Sequence, residues 1–300
     1  MDMIQNKCCR HGASLRRRRR RRRKILRSII FSCSIIAVAV FVAVGSSMIR
    51  SGDGRTNRYD VEAGNNTYDN AVIENSKISG KNKIQNNQSM LDDIMNSTQY
   101  PKQLKDLALK NEEALEFVYD YPAEHVKENT IDLTEEASMD SVPLFVQWDK
   151  RWGYEKYSGN FFAASGCGPT TLSMVVVYLT HNREASPIAV AKYSKEAGYS
   201  VDGSGSSWTL ISEGCMHYGV KAKTVALDES RMKAELDAGH PIVINVGPGD
   251  FTDTGHFMVI TGYDDEGFSI NDPNSIEKSG KRWLFKNISS QIRAVWSMYV

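Results

Sequence analysis

Between Leu172 and Leu179 the chain reads Leu-Ser-Met-Val-Val-Val-Tyr-Leu, and this run most constrains the fold. Leu172, Val175, Val176 and Leu179 fall at i, i+3, i+4 and i+7, the spacing of one face of a helix. The intervening positions are mostly apolar too, so a helix over Thr170–His181 has to be covered on nearly all sides. The rest of the chain must supply that cover. Pro187–Ala197, Trp208–Tyr218 and Ser230–Ala238 read as further helices, the last stopped by Gly239. From Pro241 the pattern changes to strands: Pro241–Val246, His256–Tyr263, Phe268–Asn271, Trp283–Phe285 and Ala294–Val300. Helices followed by a mainly antiparallel sheet predict an α+β fold with the apolar helix packed on the sheet.

Immediately before that helix stands Ser165-Gly166-Cys167-Gly168-Pro169-Thr170. Tyr154–Gly166 reads as a loop that delivers Cys167 to the helix start. Pro169 is tolerated there because the first helical N–H groups have no intrahelical partner. The flanking glycines are expected to shape the backbone and leave the sulfur approachable. A thiol at the amino end of a buried helix meets the positive end of the macrodipole, which favours the nucleophilic thiolate. Cys215, the other cysteine in this half of the chain, reads as a packed thiol, with no bridge to Cys167 expected.

A thiol nucleophile needs a base, and the base needs an orienting group. Of six histidines, His256 is the best placed. It opens the strand Gly255-His256-Phe257-Met258-Val259-Ile260, where Gly255 is expected to allow a close approach. Asp272 follows sixteen residues later, in Asn271-Asp272-Pro273. With Ile260 opposite Phe268, the two residues would face each other across a hairpin, Cβ atoms about 5 Å apart. A tight turn at Asp265-Glu266 would instead change the face of Asp272, unless a bulge intervenes. Asn271 is the alternative orienter. The amide of Gln147, at the end of an apolar run from Val142, is a weak candidate donor for a developing oxyanion. Trp208, behind the loop Asp202–Ser207, is a candidate substrate shelf, equally readable as a buried anchor.

The chain's net charge of +1 hides an asymmetry. Residues 1–28 hold twelve Lys and Arg against Asp2, a net of +11, which leaves −10 on the remainder. Ile29–Met48 is twenty residues without charge, enough to span a bilayer core. Arginines crowd its amino side, so residues 1–28 are expected in the cytoplasm and residues from 50 onward outside. A cleaved signal peptide is the nearest alternative. Residues 49–89, rich in Asn, Gly, Ser and charge, read as a flexible stalk. Residues 90–140 read as a helical segment and charged connector, in which 101–121 is either a substrate-like plug or a packing element. Residues 141–300 form the main domain. The acidic context of the expected sheet argues against nucleic acid. No cluster has metal-ligand spacing, so neither metal nor cofactor is expected.

Together these residues resemble the papain-fold cysteine peptidases, and more narrowly the bacteriocin-processing, double-glycine-leader peptidases and their stand-alone surface relatives. Four motifs carry the resemblance in family order over about 160 residues: Pro143-Leu144-x-x-Gln147-x-Asp149, Ser165-Gly166-Cys167-Gly168-Pro169-Thr170, Gly255-His256-Phe257, and Asn271-Asp272-Pro273-Asn274-Ser275. The resemblance implies Cys167 as nucleophile, His256 as general base and acid, Asp272 as its orienter and Gln147 in the oxyanion hole; the local reading of the chain adds Gly166, Gly255 and Trp208 as candidate substrate-binding residues. The expected protein is a membrane-anchored, extracytoplasmic cysteine peptidase acting on a peptide or protein. Leader-processing members sit on exporters with many spans and an ATPase. This sequence instead shows one span and no phosphate-binding Gly-rich Lys loop, so a secreted or surface peptide, or a cell-wall peptide stem, is the expected substrate. Two alternatives stay open: a non-catalytic surface binding module on the same scaffold, and an amidase or transpeptidase acting on cell-wall peptides.

Overall fold

The centre of the fold is a six-stranded sheet, antiparallel in every ladder. The computed structural model describes residues 83–300. The strands are β1 (Lys221–Thr224), β2 (Ile242–Val246), β3 (His256–Asp264), β4 (Gly267–Asn271), β5 (Arg282–Trp283) and β6 (Ile292–Tyr299), in the spatial order β1-β6-β2-β3-β4-β5. The longer helices are α1 (residues 83–96), α2 (Lys102–Lys110), α3 (Cys167–Thr180), α4 (Pro187–Glu196) and α5 (Glu229–Asp237). This is an α+β architecture built on an antiparallel sheet.

Strands β2 and β3 are apolar over residues 242–244 and 257–260 because both of their faces are covered there. Val243, Phe257, Val259 and Trp296 point into a core that they share with α3, through Leu172, Met174, Val175, Val176 and Val177. Ile242, Ile244, Met258, Ile260 and Ile270 point the other way, onto Met232 and Leu236 of α5 and onto Ile288. Strict alternation between the two clusters fixes the register, since a slip of one residue would exchange them. A third cluster joins Ile94, Leu104, Leu107 and Phe117 of the amino-terminal helices to Phe161 and Ala163, just ahead of α3.

Several local expectations change. The stretch Tyr154–Gly166 is not plain loop. It holds a hairpin of Lys156–Tyr157 with Asn160–Phe161, then a helical turn, Phe162–Ser165. The helix expected over Trp208–Tyr218 is two pieces, a turn at Thr209–Ser212 and a 3-10 turn at Gly214–Tyr218. The break falls at Glu213, whose φ of −129° leaves the helical region. Phe285 leaves the sheet to begin the helical turn Phe285–Ile288. Strand β1 is an addition; its Lys-Ala-Lys-Thr has no apolar alternation because it is an exposed edge. Leu133 and Ala137, in the charged connector, are buried in the main core.

The segment 101–121 is a packing element rather than a plug: Leu104, Leu107, Phe117 and Val118 bury their side chains in the third cluster. Helix α1 begins inside the stretch expected to be flexible. The basic tail, the apolar segment Ile29–Met48 and most of the stalk lie outside the described residues. Among the described residues, no helix is long and apolar enough to cross a membrane.

Because Leu172 is fully buried where α3 meets the sheet, Leu172→Ala should lower unfolding free energy by about 2–5 kcal/mol in urea denaturation. A loss below about 0.5 kcal/mol, the ordinary range of a surface substitution, would contradict the packing described.

Candidate active site

Cys167 is the first residue of α3, with Gly166 as its N-cap at φ −84°. Cys167 is a partly exposed residue, and the backbone N–H groups of Phe257 and Gly168 favour negative charge on its sulfur. The flanking glycines answer to packing rather than to an unusual backbone path, for neither has positive φ. A Cβ on Gly166 would lie 2.6 Å from the buried ring of Phe162, and one on Gly168 would lie 2.5 Å from Ser206 Oγ. No described residue of the chain makes a close approach at Gly255. A Cβ there would have Val246 O at an ordinary 3.9 Å as its nearest neighbour among the described residues.

His256 opens β3 and is almost fully buried. Asn245, in the neighbouring strand, donates from Nδ2 to its carbonyl at 3.2 Å. Its imidazole bonds Asp272: Nε2 lies 2.7 Å from Oδ1. The carboxylate only accepts, so Nε2 carries the proton, and Nδ1 is the nitrogen left to deal with the thiol. Asp272 has no exposed surface. Its Oδ1 also accepts from the N–H of Asn274 at 2.8 Å, and its own N–H donates to Ser279 Oγ at 2.9 Å.

Of the two routes that bring these residues together, a long loop or a tight turn with a bulge, the structure takes the second. Ile260 lies opposite Ile270, not Phe268, and the turn is the tight one at Asp265-Glu266. Alone, that turn would set Asp272 across from Val259 and away from His256. Thr261 is the extra residue that prevents it: the ladder passes from Gly262↔Ser269 to Ile260↔Ile270 with Thr261 unpaired. Asn271 then faces Val259, and Asp272 takes the alternation of Met258 and His256. Asp272 itself has left the ladder and sits in a turn, bridged to Ser275. Asn271 does not orient His256. Its Nδ2 donates to the carbonyls of Val142 and Pro143, both at 3.1 Å, and so ties down the segment that carries Gln147.

Gln147 is buried beside this segment. Its N–H donates to the Pro273 carbonyl at 2.7 Å, and its Nε2 donates one proton to Ala163 O at 2.7 Å. An amide nitrogen has two N–H groups, so one remains uncommitted. Trp208 is half exposed and stands edge-to-face on Trp296, ring centroids 6.0 Å apart. It is thus neither a fully buried anchor nor a free side chain.

Electrostatics favour charge separation between the thiol and the imidazole. Burial opposes a thiolate at Cys167, but the hydrogen bond and charge of His256 and the two backbone N–H groups outweigh it and hold the thiol below its ordinary value. Burial likewise opposes the imidazolium, and the Asp272 carboxylate together with the Cys167 sulfur outweighs it, holding His256 well above the ordinary histidine range. Such a pair is charged at pH values between the lowered thiol and the raised imidazole, a form suited to attack on a carbonyl carbon. Cys215 has no such partner, and burial pushes its thiol up to about 11.

Sequence reasoning missed the polar groups that hold the Asp272 turn, namely Asn111, Glu113, Trp148 and Ser279. The run Asp272-Pro273-Asn274-Ser275 signals a turn, but nothing local signals which distant groups bind it.

Comparison with known proteins gives the class and then the family. Residues 139–300 match the model of the Peptidase_C39 like family, and the chain belongs to that family. Among solved structures it is similar to the peptidase domain of Streptococcus ComA, titled a bi-functional ABC transporter involved in a quorum sensing pathway. That likeness has 18% identity and a TM-score of 0.37 over 45% of this chain and 90% of that one. It is also similar to a protein titled as a C39-like peptidase from Bacillus anthracis, at 17% identity and a TM-score of 0.34 over 53% and 95% of the two chains. No curated protein matches the chain.

The two thiols should separate by pH. Cys167 should be alkylated by iodoacetamide at pH 7, with a rate profile whose midpoint lies below the ordinary thiol value of 9.0. Cys215, neutral at that pH and fully buried, should stay unmodified in the native protein. Peptide mapping reads both, and equal labelling of the two would contradict the charge assignment.

Proposed function

We propose that the protein is a cysteine peptidase, held to a membrane by Ile29–Met48 with residues 50–300 on the outer face. The observation that carries the enzymatic half is the hydrogen-bonded pair of buried His256 and Asp272 beside a thiol at a helix start. The membrane half rests on the uncharged twenty residues behind an arginine block.

In this reading the Cys167 thiolate attacks the scissile carbonyl carbon. The oxyanion so formed accepts from the Cys167 N–H and from the uncommitted N–H of Gln147. His256, as imidazolium, gives its proton to the leaving amine as the C–N bond breaks, which leaves a thioester on Cys167. Water then attacks the thioester, passes a proton to His256, and releases the acid and the thiolate. Asp272 keeps the imidazole in the required tautomer and steadies its positive charge throughout. Trp208, standing on Trp296, is proposed as a shelf for the substrate, and Gly166 and Gly255 flank the two reacting side chains.

The substrate is proposed to be a secreted or surface peptide. Membranes bearing the full chain, incubated with a peptide library, should release amide-bond cleavage products. Cys167→Ala should reduce the rate by at least about 10³-fold while Cys215→Ala leaves it within about twofold. Cleavage that survives Cys167→Ala, or a library left intact by the native protein, would overturn the peptidase reading. The protein should stay with the membrane pellet through alkaline carbonate washing; release into the wash would overturn the anchor.

A further inference from the structure

Asp272 sits in a four-residue turn just beyond the end of β4, where the ladder no longer holds it. What holds the turn comes from far upstream. Glu113 lies in the 3-10 turn Glu112–Ala114, and its carboxylate reaches across to the start of the short helix Ile276–Ser279. One oxygen accepts from Ser275 Oγ; the other accepts from the N–H groups of Ile276 at 2.7 Å and Glu277 at 3.0 Å. These are orphan donors of a helix start, and a negative charge is favourable beside them. Asn111, which also accepts the Glu113 N–H, donates from Nδ2 to the Asn274 carbonyl at 2.9 Å. Trp148 Nε1 donates to the same carbonyl at 3.2 Å. Asn274 is the residue whose N–H holds Asp272 Oδ1. A chain of bonds therefore runs from Glu113 and Asn111 through residues 274–277 to the carboxylate that meets His256.

The same amino-terminal segment grips the other side of the site. Phe117 stacks on Tyr154 at 4.2 Å and accepts its hydroxyl proton at the Phe117 carbonyl, 2.7 Å away. Leu104 and Val118 share a core with Phe161 and Ala163. Ala163 supplies the carbonyl that fixes Gln147, and Cys167 follows four residues on. Residues 111–118 precede the stretch 139–300 that matches the family model, so the clamp is supplied by the part of the chain outside that match.

We propose that Glu113 and Asn111 are positioning residues for the proposed thiol chemistry, clamping the 272–275 turn so that Asp272 stays in register with His256. The inference rests on the peptidase reading of Cys167, His256 and Asp272. It gives the amino-terminal helical segment a role in the reaction beyond packing. Neither residue touches the thiol or the imidazole. Their effect on the reacting groups passes through Asp272, because the titratable groups facing His256 are Asp272 and Cys167. Loosening the turn weakens the carboxylate's hold on the imidazolium, which in turn withdraws the charge that favours the thiolate.

Alkylation of Cys167 by iodoacetamide in the full chain, followed by peptide mapping from pH 5 to 10, tests this without any knowledge of the substrate. In the native protein the profile should be centred below 9.0. In Glu113→Ala its midpoint should move toward the ordinary thiol value, with a rate at pH 7 about tenfold slower. Glu113→Gln keeps one acceptor oxygen but loses the charge, and Asn111→Ala leaves Glu113 in place; each should move the midpoint in the same direction by less. Circular dichroism and urea unfolding check that each variant is folded. Where Glu113→Ala does not fold, Glu113→Gln decides the matter. A role confined to stability would lower the unfolding midpoint and leave the pH profile superimposable on the native one, and that result would overturn the proposal. A native profile centred on an ordinary thiol would overturn the thiolate reading itself, and the clamp with it, and so is distinguishable from failure of the clamp alone.

Discussion

The site depends on one buried contact, the 2.7 Å bond between His256 Nε2 and Asp272 Oδ1. A carboxylate with no exposed surface is expensive to keep ionised unless it is paired and hydrogen-bonded. Asp272 has the imidazole and the Asn274 N–H on one oxygen, while Oδ2 has no partner among the described residues. The imidazolium is thus the main counter-charge for the carboxylate, and the carboxylate is the main support of the imidazolium. Cys167 benefits at second hand, since the charge that draws its proton off is the one Asp272 sustains. Every other feature of the site serves to bring these two side chains to one place.

The fold does this with three devices. The sheet, covered on both faces, fixes the register of β3 by alternation between two cores. The unpaired Thr261 then offsets that register by one residue, so that a tight hairpin still delivers Asp272 to the side of His256. Finally the turn after β4 is secured from outside the sheet, by Ser279 and by the amino-terminal segment. Helix α3 completes the arrangement by pressing its apolar length onto the sheet, which sets its first residue beside the start of β3.

What could be read from the amino acids follows the range of the forces involved. The helix from Cys167, the two central strands and the α+β order were legible because burial on both sides writes itself into composition. The residue types Cys167, His256 and Asp272 stood out because a thiol between glycines, a histidine at the mouth of an apolar strand and an Asp-Pro turn are locally unusual. A bulge was readable as one way to bring His256 and Asp272 together, but its place at Thr261 was not, for it changes one hydrogen-bond step and leaves no mark on the pattern. Strand β1 escaped because an exposed edge needs no apolar side chains. The ring behind Gly166 and the bonds of Glu113 and Asn111 escaped because each joins groups with no local signature, more than 160 residues apart in the case of the clamp.

The central claim is that the imidazole at 256 is charged at neutral pH because Asp272 supports it and the thiolate faces it. Nitrogen-15 chemical shifts of the histidine rings, followed from pH 5 to 10, test this most directly. The account predicts that both nitrogens of His256 keep imidazolium shifts well above the ordinary value of 6.5, and that Asp272→Asn brings the transition down. A native His256 that turns neutral near 6.5, unaffected by that substitution, would contradict it.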